Sequence, residues 1–108
     1  MPRITVADIE NDVATTFNHG RKSSIGTTAV QMVTADTPTS KGVLVKAGAT
    51  NTGTVFVGNS SSVTADTTDS TDGFPLAATD FILIPVNNAN LIFLIASAAS
   101  QKVFWATA

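Results

Sequence analysis

Two short runs in this chain, FILIPV at 81–86 and LIFLIA at 91–96, are apolar at every position. In an extended strand successive side chains point to opposite faces. Phe81, Leu83 and Pro85 then share one face of the first run, and Ile82, Ile84 and Val86 share the other. The second run divides in the same way, into Leu91, Phe93 and Ile95 against Ile92, Leu94 and Ala96. An antiparallel sheet with one wet face alternates apolar and polar residues instead. Each run therefore needs cover on both sides. One side meets a core, and the other must be covered by the N-terminal segment, a loop or another chain. A chain of 108 residues has little spare material for cover. An oligomeric or docking surface is the expectation. Pro85 has no N–H to donate, which places its strand at an edge or a bulge.

The neighbouring runs are also strand-like. They are 28–34, ended by Asp36-Thr37-Pro38, then GVLVKA at 42–47, TVFVG at 54–58, and KVFWA at 102–106. Asn51-Thr52-Gly53 reads as the turn of a hairpin joining the second and third of these. Asn59 to Gly73 reads as a polar loop with a short strand around Val63, after which Phe74-Pro75-Leu76 re-enters the core. Composition agrees: Thr, Ser and Asn make up 33 of the 108 residues, Glu occurs once and Leu five times. The expected fold is all-β, a small antiparallel β-sandwich or jelly roll of six to eight strands. A short N-terminal helix or extended arm over 1–24 precedes a sandwich domain over 25–108.

Several function classes are disfavoured. The net charge of −2 offers no basic surface for phosphates, so no nucleic-acid partner is expected. No apolar run is long enough for a membrane span. The N-terminus lacks the apolar stretch of a signal peptide. Cysteine is absent, which excludes disulfides and thiolate metal sites. The single imidazole, His19, reads as a helix-end or solvent-facing group. No Gly-x-Ser-x-Gly elbow accompanies the serines. Asp66, Asp69 and Asp72 recur at every third residue, unlike the alternate positions of an EF-hand loop, and read as a solvated loop with Asx turns. Gly48, Gly53 and Gly58 read as turn and strand-end glycines. No catalytic residue, cofactor or metal is expected.

Ile9, Val13 and Phe17 are spaced by four and share one face if the segment is helical, with Gly20 as its stop. The segment either covers its own domain or acts as an arm on a neighbouring subunit or host surface. Phe104 and Trp105, adjacent on the last strand, point to opposite faces, core and interface. The candidate interface residues are Ile9, Val13, Phe17, Ile82, Ile84, Phe104 and Trp105.

The order of motifs between Lys41 and Ala106 resembles the small β-sandwich virion proteins of tailed bacteriophages. The pieces are KGVLVKA at 41–47, NTGTVFVG at 51–58, GFPL at 73–76, IPV at 84–86 and IASAASQKV at 95–103. Together they span about 60% of the chain, and the N-terminal 35 residues have no part in it. The resemblance implies a non-enzymatic role: capsid decoration or cement on the outer shell. The alternative is a receptor- or glycan-binding head-fibre, tail-tip or baseplate module. It implies the major capsid protein as partner, a homo-oligomer with a trimer favoured, and a place on the virion capsid surface after synthesis in the host cytoplasm.

Overall fold

The computed structural model describes residues 16–108. Among them are eight strands: β1 (His19–Ile25), β2 (Val30–Gln31), β3 (Val43–Ala47), β4 (Val55–Gly58), β5 (Phe74–Leu76), β6 (Phe81–Ile84), β7 (Phe93–Ala96) and β8 (Gln101–Thr107). A 3-10 turn, Ala89–Leu91, precedes β7. The strands form two four-stranded sheets, in the orders β1-β8-β3-β6 and β2-β7-β4-β5. Every pairing is antiparallel: β1 with β8, β2 with β7, β3 with β6 and β4 with β5, closed across by β3 with β8 and β4 with β7. First pairs with last, second with seventh, third with sixth and fourth with fifth. That is one long antiparallel ribbon rolled into two layers, the jelly-roll order. No helix among the described residues is long and apolar enough to cross a membrane.

The core lies between the layers. Val43, Val45, Ala47 and Val103 of the first sheet meet Val55, Val57, Leu76, Leu94 and Ala96 of the second, all buried. Ile25, Met32 and Ile92 complete it from the connections and the end of β1. These are mostly β-branched side chains, which fit a pleated, buried surface. Trp105 lies against the same core. Its indole rests on Gly20, where an added Cβ would come within 2.7 Å of the ring. A residue larger than glycine there would force Trp105 out of place.

The hairpin expected around Asn51-Thr52-Gly53 does not form. β3 and β4 lie in different sheets, and the turn is a corner between them. Side chains explain the change of partner. The Gly48 amide still donates to the Lys102 carbonyl, at 3.0 Å, extending the pairing of β3 with β8. The Asn51 side chain then imitates a strand residue: its Nδ2 donates to the Lys102 carbonyl (2.8 Å) and its Oδ1 accepts from the Lys102 amide (2.9 Å). The chain leaves the first sheet and joins β7 of the second, where Thr54 accepts from the Ser97 amide. Gln101, 1% exposed, secures the corner. Its Oε1 accepts from the Gly53 amide, and its Nε2 donates to Thr52 Oγ1 and the Ala99 carbonyl.

The strands inferred from sequence need two further corrections. The run 28–34 supplies only the two-residue β2; the Met32 amide still donates to the Ile92 carbonyl (2.9 Å), and Met32 and Val33 pack against the core. Residues 19–24, assigned to the arm, belong to β1, so Gly20 is a strand residue and not a helix stop. The sandwich thus begins at His19 rather than at residue 25. The helix expected over Ile9 and Val13 lies outside the described residues.

Gln101→Leu keeps the volume but strands the half-buried Gly53 amide. It is expected to cost about 1–3 kcal/mol, read as a lower midpoint in urea with an unchanged slope.

Candidate functional site: the outer face of the first sheet

The two outer faces of the sandwich are treated differently by the chain. On the second sheet, Phe56, Phe93 and Ile95 point away from the core, and Gly58 leaves a gap beside them. The loop at 59–73 folds over this face and places Val63 in the gap, burying Phe56, Ile95 and Val63 to 8% exposure or less. Ala29 and Ala65 pack at the margin. On the second apolar side of LIFLIA the chain itself thus buries Ile95 and half-buries Phe93, while Leu91, in the 3-10 turn before β7, stays exposed.

Side-chain hydrogen bonds hold that loop in shape. Asp72 Oδ1 accepts from Thr64 Oγ1 (2.7 Å) and the Asp66 amide (3.1 Å), and Asp72 Oδ2 accepts from the Asp69 amide (3.0 Å). Asp66 Oδ1 accepts from the Thr68 amide, an Asx turn of the expected kind. That bond holds the Asp66 carboxyl below its ordinary value. A hydrogen bond to Asp66, and then the charge of Asp66, push Asp69 up. The Asp66 and Asp72 carboxylates are engaged by their own loop, and no metal-holding group of three His, Asp or Glu side chains occurs among the described residues.

The first sheet has no such cover from the described residues. Its registers align two rows of outward side chains across all four strands. One row is His19, Ala106, Leu44 and Leu83; the other is Arg21, Phe104, Lys46 and Phe81. Phe81 is 66% exposed, Leu83 51%, Phe104 45% and Leu44 40%. Phe17 is as exposed as Phe81, and its ring centroid lies 6.5 Å from that of His19. Five of the seven exposed large apolar side chains among the described residues thus gather on one face. Lys102 extends it, its aliphatic stem lying over Gly48. The outward positions of these strands carry Arg21, Lys46 and Lys102 and no acidic residue. In a chain of net charge −2, this face is locally basic. Covering five half-exposed side chains of this size is worth on the order of 5 kcal/mol.

The structure sorts the interface residues inferred from sequence. Phe17 and Phe104 stand on this face. Ile82 and Ile84 turn inward and are half-buried against the core, so the exposed side of β6 is Phe81 and Leu83. Trp105 is also inward. Ile9 and Val13 lie outside the described residues. Phe81 and Leu83 were missed because β6 reads as apolar on both faces, and Leu44 because GVLVKA on β3 does not alternate cleanly. Lys46 was the available signal: it marks the outward side of β3, but only the register shows that Phe81 lies opposite it.

A second feature is a cavity of roughly 510 Å³ at the open edge of the sandwich between β5 and β6. Ile82, Ile84 and Val86 form its apolar floor, Phe74 one wall, and Ser62 and Thr71 of the 59–73 loop its polar rim. Phe74 is 55% exposed there rather than returning to the core; Leu76 is the residue of that run which does.

Comparison with protein-family models, with curated proteins and with solved structures finds no match. The jelly-roll order defines an architecture, and an architecture alone does not define an activity.

Two outcomes follow from this geometry. Leu83→Asp is expected to leave the thermal midpoint nearly unchanged, whereas Val45→Asp, one position along β3 from Leu44 but fully buried, is expected to abolish cooperative unfolding. For Asp69, the raised folded-state value means that its favourable contribution is complete below its ordinary value of 3.8 and is lost as pH rises through the raised value. Asp69→Asn is therefore expected to raise the urea midpoint at neutral pH, with the gain shrinking as pH falls through the raised value and gone below 3.8.

Proposed function

We propose that this chain is a non-enzymatic structural protein of a tailed-bacteriophage virion, a cement or decoration protein. It binds the outer capsid shell and bridges neighbouring capsomers, with the major capsid protein as partner and a homo-oligomer, a trimer favoured, as the unit. The observation that supports this best is the outer face of β1-β8-β3-β6, which no other described residue covers. A small domain that covers one outer face with its own loop and leaves the other apolar is suited to docking. The motif order from KGVLVKA to SQKV supports the same reading, by its resemblance to phage β-sandwich virion proteins.

The mechanism is additive. One such face offers few anchoring side chains, so a single copy holds weakly. Many copies placed by the symmetry of a shell, each touching two capsomers, sum to a large stabilisation. The Phe and Leu side chains supply desolvation, while Arg21, Lys46 and Lys102 select an acidic counter-surface.

The cavity at the β5–β6 edge favours a second reading, a receptor- or glycan-binding tip of a fibre or tail. Phe74 offers a ring, and the hydroxyls of the 59–73 loop offer hydrogen bonds at the rim.

Quantitative mass spectrometry of purified particles separates the two. A copy number comparable to that of the major capsid protein is expected for a cement protein, and Phe81→Asp should then bind shells at least tenfold more weakly while folding normally. A few copies per particle would move the chain to a fibre or tail. Absence from particles would sink both readings.

A further inference from the structure

The outer face of the first sheet has a candidate occupant within the chain itself. We propose that residues 1–15 dock onto this face in cis, through apolar contact of Ile9 and Val13 beside Phe17 and through attraction between Asp8, Glu10 and Asp12 and the cations Arg21, Lys46 and Lys102. The inference concerns the free protein and holds whether or not the chain belongs to a virion.

Four observations lead to it. The first is position. The chain enters the sandwich through β1, an edge strand of this same sheet. The entry point is pinned: the Asn18 amide donates to Thr107 Oγ1 at 2.7 Å, and the Asn18 carbonyl accepts from the Thr107 amide at 2.8 Å. Phe17, next along, already stands beside His19 at the end of the His19–Ala106–Leu44–Leu83 row. A segment continuing from there has only to fold back over the sheet.

The second observation is reach. Four strands about 4.8 Å apart make a face about 14 Å across from β1 to β6. Fifteen residues span about 22 Å even at the rise of a helix, so the segment is long enough to cross the whole face. A tether this short also holds the segment at an effective concentration on the order of millimolar, ahead of any free competitor.

The third is pattern. Ile9, Val13 and Phe17 recur every four residues, with Asp8, Glu10 and Asp12 interleaved. The face presents the complementary set. Its aliphatic row of Ala106, Leu44 and Leu83 accepts apolar side chains, and its second row alternates cation and ring as Arg21, Phe104, Lys46 and Phe81. The segment holds three of the eight acidic residues of the chain and one of its six Lys and Arg. The face holds three cations and no acid. The two carry opposite charge.

The fourth concerns a rival occupant, a second copy of the same face. A two-fold contact brings identical patches together, so Arg21, Lys46 and Lys102 of one copy would meet the same three of the other with no acid between them. Like charges placed in this way repel. The other outer face is already occupied by the 59–73 loop.

Photo-crosslinking tests the assignment in the full chain. A benzoylphenylalanine replaces Val13, and an equimolar mixture of isotope-labelled and unlabelled chains is irradiated. The expected products are crosslinks within one chain to peptides carrying Leu44, Phe81 to Leu83, or Phe104. Crosslinks to the 59–73 loop, crosslinks only between chains, or none would overturn the proposal. A second measurement is independent of crosslinking yield. The triple variant Asp8→Lys, Glu10→Lys, Asp12→Lys should uncover the face and raise binding of an apolar fluorescent dye several-fold, with the circular dichroism of the sandwich unchanged. Reversing Arg21 and Lys46 to Glu in that variant should bring dye binding back toward the wild-type level. Equal dye binding by the wild type and the triple variant would overturn the proposal.

Discussion

The side-chain amides of Asn51 and Gln101 hold the fold at the point where it is most vulnerable. A jelly roll sends nearly every connection from one sheet to the other, and each crossing breaks a ladder of backbone hydrogen bonds that must be satisfied elsewhere. At the β3–β4 corner, Asn51 supplies both a donor and an acceptor to the backbone of Lys102, so β8 stays paired after β3 has ended. Gln101 spends its oxygen and its nitrogen on the same turn from beneath. No buried side-chain polar atom among the described residues lacks a hydrogen-bond partner. Because the corner is closed, β3 is free to pair with β6 and β8 together, and the outer face of the first sheet becomes four strands wide.

That width sets the chemistry. Two strands would scatter Leu44, Phe81, Leu83 and Phe104 at the rim of a ribbon. Four strands in register place them in two adjoining rows with Arg21, Lys46 and Lys102 among them. The second sheet has an equally apolar outer face, yet Val63 seats beside Gly58 and closes it. One face is finished by a loop whose aspartates bind their own amides; the other is left for a segment or a partner. Apolar surface next to uncompensated positive charge favours an acidic, apolar counterpart. The N-terminal residues and an acidic shell surface both meet that description, and on the virion reading they compete for the same ground.

Much of the architecture was legible. GVLVKA, TVFVG, FILIPV and KVFWA lie within a residue or two of β3, β4, β6 and β8, because short apolar runs between turn residues have few other uses in a Thr-rich chain. The strand β1 was not legible. His19-Gly20-Arg21-Lys22 has no apolar alternation, and Gly20 earns its place only through the Trp105 indole that lies on it, 85 residues away in sequence. The hairpin at Asn51-Thr52-Gly53 was misread for a related reason. A turn signal shows that the chain reverses, but its partner was decided by Lys102 and Ser97, which are distant in sequence. The motifs that carry the resemblance, NTG and SAASQ, meet at this corner and serve the fold.

The sequence by itself determined that this is an all-β sandwich of short strands and that two of its runs need cover on both sides, since strand alternation converts composition directly into faces. It did not determine which side of FILIPV is outside, because both sides are apolar and a shift of one residue exchanges them. Only the tertiary structure decided that, by setting Phe81 opposite Lys46 and Leu83 opposite Leu44. It also decided that the loop covers one sheet and not the other, through the gap that Gly58 leaves for Val63. Both choices depend on register and on long-range contact, and neither quantity is local to the residues that express it.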